Sequence, residues 1–66
     1  MSLTEAMEKI SREEAEKLIQ NSVIINSKLE QDKNQICVLM TLSDNKICLF
    51  KYDIQKGEKS YFLKNL

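Results

Sequence analysis

The two cysteines are the first candidates for catalysis or metal binding, but the rest of the sequence argues against both roles. Ten residues separate Cys37 from Cys48, and the chain has no histidine and a single glycine, Gly57. This inventory excludes Ser-His-Asp and Cys-His catalysis, histidine metal sites and glycine-rich phosphate loops. With no CxxC motif and no second cysteine pair, four zinc ligands are also missing. We therefore expect no metal site, no cofactor and no catalytic residue.

A run of glutamates near the N-terminus offers carboxylates that could hold a metal ion or donate a proton. Short helices turn such charges outward, so we expect a solvated face with an i,i+4 ion pair between Glu13 and Lys17. An acidic surface could also act as a decoy or regulator that binds a basic partner protein. The carboxylate expected at the rim of the core is Asp53. The run consists of Glu5, Glu8, Glu13, Glu14 and Glu16.

The composition limits the size and class of the protein. Sixty-six residues, of which 42% are apolar, predict one small domain over 1–66 with a thin core. Ten basic and ten acidic residues cancel, whereas a dedicated polyanion binder carries a marked basic excess. The opening residues lack a basic stretch, and no apolar run has the length of a membrane span. We expect a cytoplasmic protein outside the membrane, with Met1 as its natural start.

Helical spacing dominates the first third of the chain. Leu3, Ala6, Met7 and Ile10 recur at helical intervals and predict a weak helical turn over 4–10. The first ten residues are expected to fray or to dock on a partner.

A firmer helix is predicted over 12–20. Ser11 and Glu14 form a capping box at its start. Its apolar side chains, Ala15, Leu18 and Ile19, point about 120° away from the first stripe at 100° per residue, so one straight helix cannot bury both.

Beyond Asn21 the spacing changes from 3.6 to 2, which is typical of strands. Asp44-Asn45 and Lys56-Gly57 are interpreted as two-residue hairpin turns, since Asp, Asn and Gly tolerate the positive φ that such turns need. The polar stretch 31–34 is interpreted as a looser turn. The predicted fold class is α+β, with an N-terminal helix, or two short helices, packed on a four-stranded antiparallel β-meander. The predicted strands are 23–29, 36–42, 47–54 and 60–66.

These turns fix a register, and the register assigns each side chain to a face. Met40 then opposes Leu49, and Tyr52 opposes Tyr61. The face expected to form the core under the helix comprises Val23, Ile25, Leu29, Ile36, Val38, Met40, Leu42, Ile47, Leu49, Phe62 and Leu66. The opposite face comprises Ile24, Cys37, Leu39, Thr41, Cys48, Phe50, Tyr52, Ile54, Tyr61 and Leu63. The two cysteines share this second face about 13 Å apart, beyond the Cα separation of about 7 Å that a disulfide permits.

The second face is apolar, yet a single helix covers only the first. Large apolar patches on small proteins usually mark an interaction surface. Fully burying each large side chain there stabilises by about 1.5–3 kcal/mol, so together they match the net stability of a small domain. The cover is a second copy of the chain, another protein, or residues 3–10 folded back.

The sequence therefore predicts a small non-catalytic protein-interaction module, not an enzyme, that self-associates as a homodimer or binds another protein. The residues expected to carry the interaction are Leu39, Phe50, Tyr52, Tyr61 and Leu63. An alternative is a nucleic-acid-binding module that stacks bases on the aromatic side chains. Only Lys28 and Lys59 share that face, so nucleic acid is the less favoured partner.

Overall fold

The structure, a computed structural model, describes residues 7–65. In this part of the chain one helix and five strands form an α+β fold with a single antiparallel sheet. The strand order is β1-β5-β4-β3-β2, so β1 and β2 are the two edges. The prediction of an antiparallel α+β fold is confirmed, with five strands instead of four. The elements are β1 (Glu8–Ile10), α1 (Arg12–Asn21), β2 (Ile24–Gln31), β3 (Gln35–Leu42), β4 (Lys46–Asp53) and β5 (Glu58–Asn65).

The additional strand, β1, lies where the sequence predicted a helical turn. Glu8 pairs with Leu63 and Ile10 with Tyr61 in an antiparallel ladder. Only Met7 and Ile10 of the predicted apolar stripe fall in the described chain, and pairing with β5 buries Ile10 to 8% exposure. A distant ladder partner thus outweighs a weak local helical pattern. Residues 1–6, which hold most of the segment expected to fray or dock, lie outside the described residues.

Helix α1 begins at the predicted capping box. The Ser11 hydroxyl accepts a hydrogen bond from the backbone N–H of Glu14 at 3.1 Å, and Ser11 has extended backbone angles. This bond satisfies one of the N–H groups that a helix start leaves without a partner. The i,i+4 ion pair on the helix joins Arg12 to Glu16 at 3.0 Å, one residue before the predicted pair.

The turn between β3 and β4 corrects the predicted register. Leu42 pairs with Lys46, so three residues form the turn instead of two. Asn45 has a φ of 60°, the left-handed conformation that usually ends a three-residue hairpin. The extra residue shifts β4 by one position, so Met40 opposes Cys48 and not Leu49. Every side chain of β4 therefore changes face relative to the prediction.

The turn between β4 and β5 is also longer than predicted. Asp53 pairs with Glu58, which leaves a four-residue loop ending at Gly57 with a φ of 67°. The prediction that Gly57 supplies the positive φ is confirmed. However, Tyr61 opposes Phe50, and Tyr52 opposes Lys59, so the predicted tyrosine pair is wrong. This shift is by two residues and leaves the faces unchanged.

The register between β2 and β3 is likewise offset by two residues. Leu29 pairs with Val38 and not with Ile36. The Asp32 carboxylate closes the connection by accepting hydrogen bonds from the backbone N–H groups of Asn34 at 2.7 Å and Gln35 at 2.8 Å. An Asp side chain used in this way replaces the ladder bonds that the turn interrupts.

The buried core lies between α1 and one face of the sheet, which we call the helix face; the other is the outer face. The core combines two residues of the predicted core, Leu42 and Met40, with side chains that were predicted to lie on the uncovered face. The cause is the displacement of β4 by one residue. The cluster comprises Ile10, Ala15, Leu42 and Cys48, with Leu18, Met40, Tyr61 and Leu63 packed against it.

Several side chains predicted to lie in the core lie elsewhere. Val23, Ile25 and Leu29 are 69%, 65% and 64% exposed. Leu49 is buried, but its pairing with Leu39 and Phe62 places it on the outer face. The remaining predicted core residue at the C-terminus, 66, lies outside the described part.

Candidate functional site

One row of paired residues crosses the helix face from edge to edge. Leu29, Val38, Phe50, Tyr61 and Ile10 are successive cross-strand partners in β2, β3, β4, β5 and β1. The β1 end is covered, because Tyr61 and Ile10 belong to the cluster under α1. The middle of the row is half-buried, and Leu29 at the β2 end is exposed. The apolar row is thus covered at one edge and open at the other.

The open end coincides with a concentration of exposed apolar side chains. Six large hydrophobic side chains are exposed in the described chain, and four of them lie between residues 23 and 29. All eight residues of β2 are exposed. We call the four side chains the β2 flank. They are Val23, Ile24, Ile25 and Leu29.

The backbone of β2 also has an unused side. No other strand of residues 7–65 lies beyond it in the sheet. The Asp32 N–H donates to the Gln35 carbonyl at 3.0 Å, which marks a hydrogen-bonded pair with β3. Because such pairs alternate along an antiparallel ladder, the even-numbered residues of 26–30 also turn their N–H and C=O groups toward β3. The odd-numbered residues of 27–31 therefore turn theirs toward the free edge.

A bulge limits the usable length of this edge. The pairing with β3 shifts between Ile24 and Asn26, which leaves Ile25 as the extra residue. The alternation is broken there, so a regular ladder on the free edge can extend only over 26–31. Within this segment Lys28 and Glu30 form an ion pair at 3.3 Å, with both side chains exposed.

The predicted interaction residues do not share one face. Phe50, Tyr52, Tyr61 and Leu63 lie on the helix face, whereas Leu39 lies on the outer face with Leu49. Tyr61 and Leu63 pack against the core cluster. The physical cause is the three-residue β3–β4 turn, which reverses the face of β4 and β5 relative to β3.

The aromatic residues form a pair with each other. The ring centroids of Phe50 and Tyr61 lie 5.3 Å apart with an angle of 46° between the rings. Lys59 is the cross-strand partner of Tyr52 on this face, but Lys28, predicted to lie there, is on the outer face with Leu39. Arg12 also interacts electrostatically with Tyr61, but its guanidinium is paired with Glu16. These two cations are fewer than base-stacking sheets usually present around their aromatic residues.

The cysteines also lie on opposite faces, contrary to the prediction. Cys48 is fully buried in the core cluster, and Cys37 is half-buried on the outer face opposite Glu30 and Lys51. Burial raises the pKa of the Cys48 thiol, which keeps it protonated. Both thiols are free. The buried thiol therefore acts as a small apolar side chain.

The remaining polar features are structural or open to solvent. Asp53, expected near the core, accepts hydrogen bonds from the N–H groups of Gln55 and Lys56 and so holds the β4–β5 loop. A cleft of about 340 Å³ lies between α1 and the β3–β4 turn, and its carboxylates, Glu14 and Asp44, are both exposed. Exposed carboxylates of this kind are typical of a solvated surface and not of a catalytic site.

Among residues 7–65 no group of three or more cysteine and carboxylate side chains is placed to hold a metal ion. In the same part of the chain, no helix has the length and apolarity needed to span a bilayer.

Comparison with protein-family models, curated proteins and solved structures finds no match to this chain. Within residues 7–65, the features that could bind a partner are the β2 flank and the free edge of β2. Sequence reasoning missed both, because it assigned Val23, Ile25 and Leu29 to the core. The available signal was the polar run Asn26-Ser27-Lys28, since charged and polar residues are characteristic of edge strands.

Proposed function

We propose that the protein is a small non-catalytic interaction module that self-associates through the β2 flank. The observation that supports this proposal is that four of the six exposed large hydrophobic side chains lie in one segment, residues 23–29. Scattered apolar residues are normal on a protein surface, but a concentration of them in one short segment of a small chain is typical of an interface.

The surface next to the flank strengthens the proposal. Leu29 continues into half-buried Val38 and Phe50 along the apolar row, so a partner at this edge meets an apolar surface and not an isolated side chain. Each large side chain that such a partner buries completely contributes about 1.5–3 kcal/mol. The apolar side chains at the β1 end of the same row need no partner to cover them, because α1 already does so.

Sedimentation equilibrium of the full chain tests self-association. We expect the wild type to form dimers whose fraction rises with concentration, and Leu29→Glu to shift the mass to that of the monomer. A matched control is Ile54→Glu, because Ile54 is an exposed apolar residue in the β4–β5 loop, outside the flank. We expect this variant to associate like the wild type.

Circular dichroism of each variant establishes that the fold is retained. A wild type that stays monomeric at millimolar concentration would contradict the proposal. So would equal weakening by Leu29→Glu and Ile54→Glu, since a general effect of added charge does not depend on the flank.

A further inference from the structure

We infer that two copies join edge to edge, with their β2 strands antiparallel and Leu29 on the two-fold axis. This inference rests on the proposed self-association and adds its geometry, in which Leu29 is the flank residue at the centre and Val23, Ile24 and Ile25 lie beyond the end of the ladder. Lys28 of each copy then lies opposite Glu30 of the second copy. The free backbone groups of β2, the position of its bulge and the order of charges along the strand favour this arrangement.

The backbone permits only some alignments. Residues that exchange ladder hydrogen bonds must both direct their N–H and C=O groups toward the shared edge. On β2 these are the odd-numbered residues of 27–31, as the bond from Asp32 to Gln35 establishes. Odd residues must therefore face odd residues of the second copy, which requires the two-fold axis to pass through a residue and not between two residues.

Charge selects among the allowed alignments. An axis at Lys28 places Lys28 opposite itself, and an axis at Glu30 places Glu30 opposite itself. Like charges directly opposite each other on neighbouring strands are destabilising. An axis at Leu29 instead places Lys28 opposite Glu30 twice, once on each side of the axis. An axis at Glu30 also brings Lys28 opposite Asp32, but it keeps the Glu30–Glu30 repulsion. Of these three alignments, only the central one pairs opposite charges without placing like charges opposite each other.

The ends of the segment exclude the other positions. An axis at Gln31 brings Glu30 opposite Asp32, again two negative charges. An axis at Ser27 carries the ladder into Ile25, where the bulge breaks the alternation of backbone groups. With the axis at Leu29, the ladder spans 27–31 in both copies and stays within the regular part of β2.

The side chains at the centre also fit a second copy. Leu29 lies on the helix face and is 64% exposed, so the axis brings two exposed leucines side by side. Lys28 and Glu30 lie on the outer face and already approach within 3.3 Å in one copy, both largely exposed. In the pair, each lysine lies beside one carboxylate of its own strand and one of the second copy, at cross-strand Cβ separations of about 4.5–5.5 Å.

Charge reversal at the two positions tests this alignment. We expect Lys28→Glu and Glu30→Lys each to weaken dimerisation about tenfold at low salt, because two attractive pairs become two repulsive ones. The weakening decreases at high salt, since exposed charges are screened. Matched controls are Lys56→Glu and Glu58→Lys, which make the same charge changes at exposed positions away from β2. We expect these two controls to change the dissociation constant by less than about twofold.

Mixing the two reversed chains isolates recognition between copies. In a Lys28→Glu chain both charges of β2 are negative, and in a Glu30→Lys chain both are positive. Neither chain regains the ion pair between positions 28 and 30. With the axis at Leu29, however, each of these two positions in one chain faces a residue of opposite charge in the other chain. We expect the mixture to form heterodimers at least as tight as the wild-type dimer, measured by native mass spectrometry with one isotope-labelled chain.

A backbone variant gives a second, independent test. Gln31→Pro removes an N–H that faces the free edge and leaves the ladder with β3 intact, whereas Gln31→Ala retains that N–H. We expect only the proline variant to weaken dimerisation, with unchanged circular dichroism.

The outcomes separate this inference from the proposal on which it rests. A monomeric wild type overturns both. The wild type could instead form a dimer that is lost in Leu29→Glu, while neither charge reversal raises the dissociation constant. That result overturns the strand pairing and leaves self-association standing. Reversed chains that fail to form heterodimers also overturn the alignment.

Discussion

The two edges of the sheet differ in what holds them in place. At one edge, β1 has three residues, pairs with the middle of β5 and leads directly into α1. Its last residue, Ile10, belongs to the core cluster. At the other edge, β2 has eight exposed residues and contacts only β3 through a full ladder. The β1 edge is anchored by apolar burial, whereas the β2 edge depends on backbone pairing and leaves its apolar side chains in solvent.

This difference separates residues needed for the fold from residues available for a partner. Short edge strands and bulges are common ways in which proteins avoid unwanted strand pairing. The β1 edge is short, and the β2 edge is interrupted by the bulge at Ile25 but keeps a regular stretch beyond it. The following predictions test the contrast between the edges, beginning with the largest effect.

The largest effect is expected from truncating one apolar side chain at each edge. Ile10→Ala should lower the free energy of unfolding by about 2–4 kcal/mol, because it opens a cavity in the core cluster. Leu29→Ala should change it by less than about 0.5 kcal/mol, because Leu29 is exposed. Urea unfolding at concentrations where the chain is monomeric measures both. Similar losses for the two variants would show that the edges do not differ.

The helix start next to β1 should give an effect of intermediate size. Ser11→Ala removes the hydroxyl that accepts from the Glu14 N–H, and we expect a loss of about 1 kcal/mol. Ser27→Ala, in the exposed edge strand β2, is the matched control and should leave stability unchanged. Thermal unfolding followed by circular dichroism checks the pair. An equal loss in both would contradict a specific capping role.

The two thiols compare the core cluster that anchors β1 with the outer face of the sheet. Because burial raises the pKa of Cys48, the folded chain keeps this thiol protonated above its ordinary pKa of 9.0, where the unfolded chain ionises it. Stability should therefore fall as the pH rises through this range. Cys48→Ala should reduce that slope. A thiol reagent at pH 8 should modify Cys37 in the native protein and Cys48 only after unfolding, because Cys48 is fully buried and Cys37 is half-buried.

The smallest effect is expected at single backbone amides of β2. In dilute protein the odd-numbered amides of 27–31 face solvent and should exchange with deuterium faster than the even-numbered amides of 26–30. At concentrations where dimers form, the odd-numbered amides should become several-fold more protected, because they enter a new ladder. Amide exchange followed by NMR resolves the pattern. Uniform exchange along β2 would rule out the assigned backbone directions.

The sequence predicted the elements better than their alignment. The capping residue Ser11 and the left-handed position of Gly57 are local features, and both are confirmed. The strand β1 was missed because its partner, β5, lies more than fifty residues away along the chain. A pairing between such distant segments leaves little trace in the local spacing of three residues.

The candidate site was harder to predict, for a specific reason. Asp44-Asn45 suits a two-residue turn, but Asn45 suits the last position of a three-residue turn equally well. The flanking strands are apolar on both faces, so hydrophobic alternation cannot decide between the two. The one-residue difference moved Phe50 to the helix face and left the predicted interaction surface divided between two faces.

The shortness of β1 determines how far assembly can proceed. In the proposed pair, the strands of residues 7–65 from two copies form one ten-stranded sheet, and within these residues each outermost strand is Glu8–Ile10. Three residues provide too little ladder to recruit a further chain, and each molecule has already used its longer border. The proposed contact is isologous and uses the same edge of both copies, so for the described strands it favours a closed pair over a growing fibre.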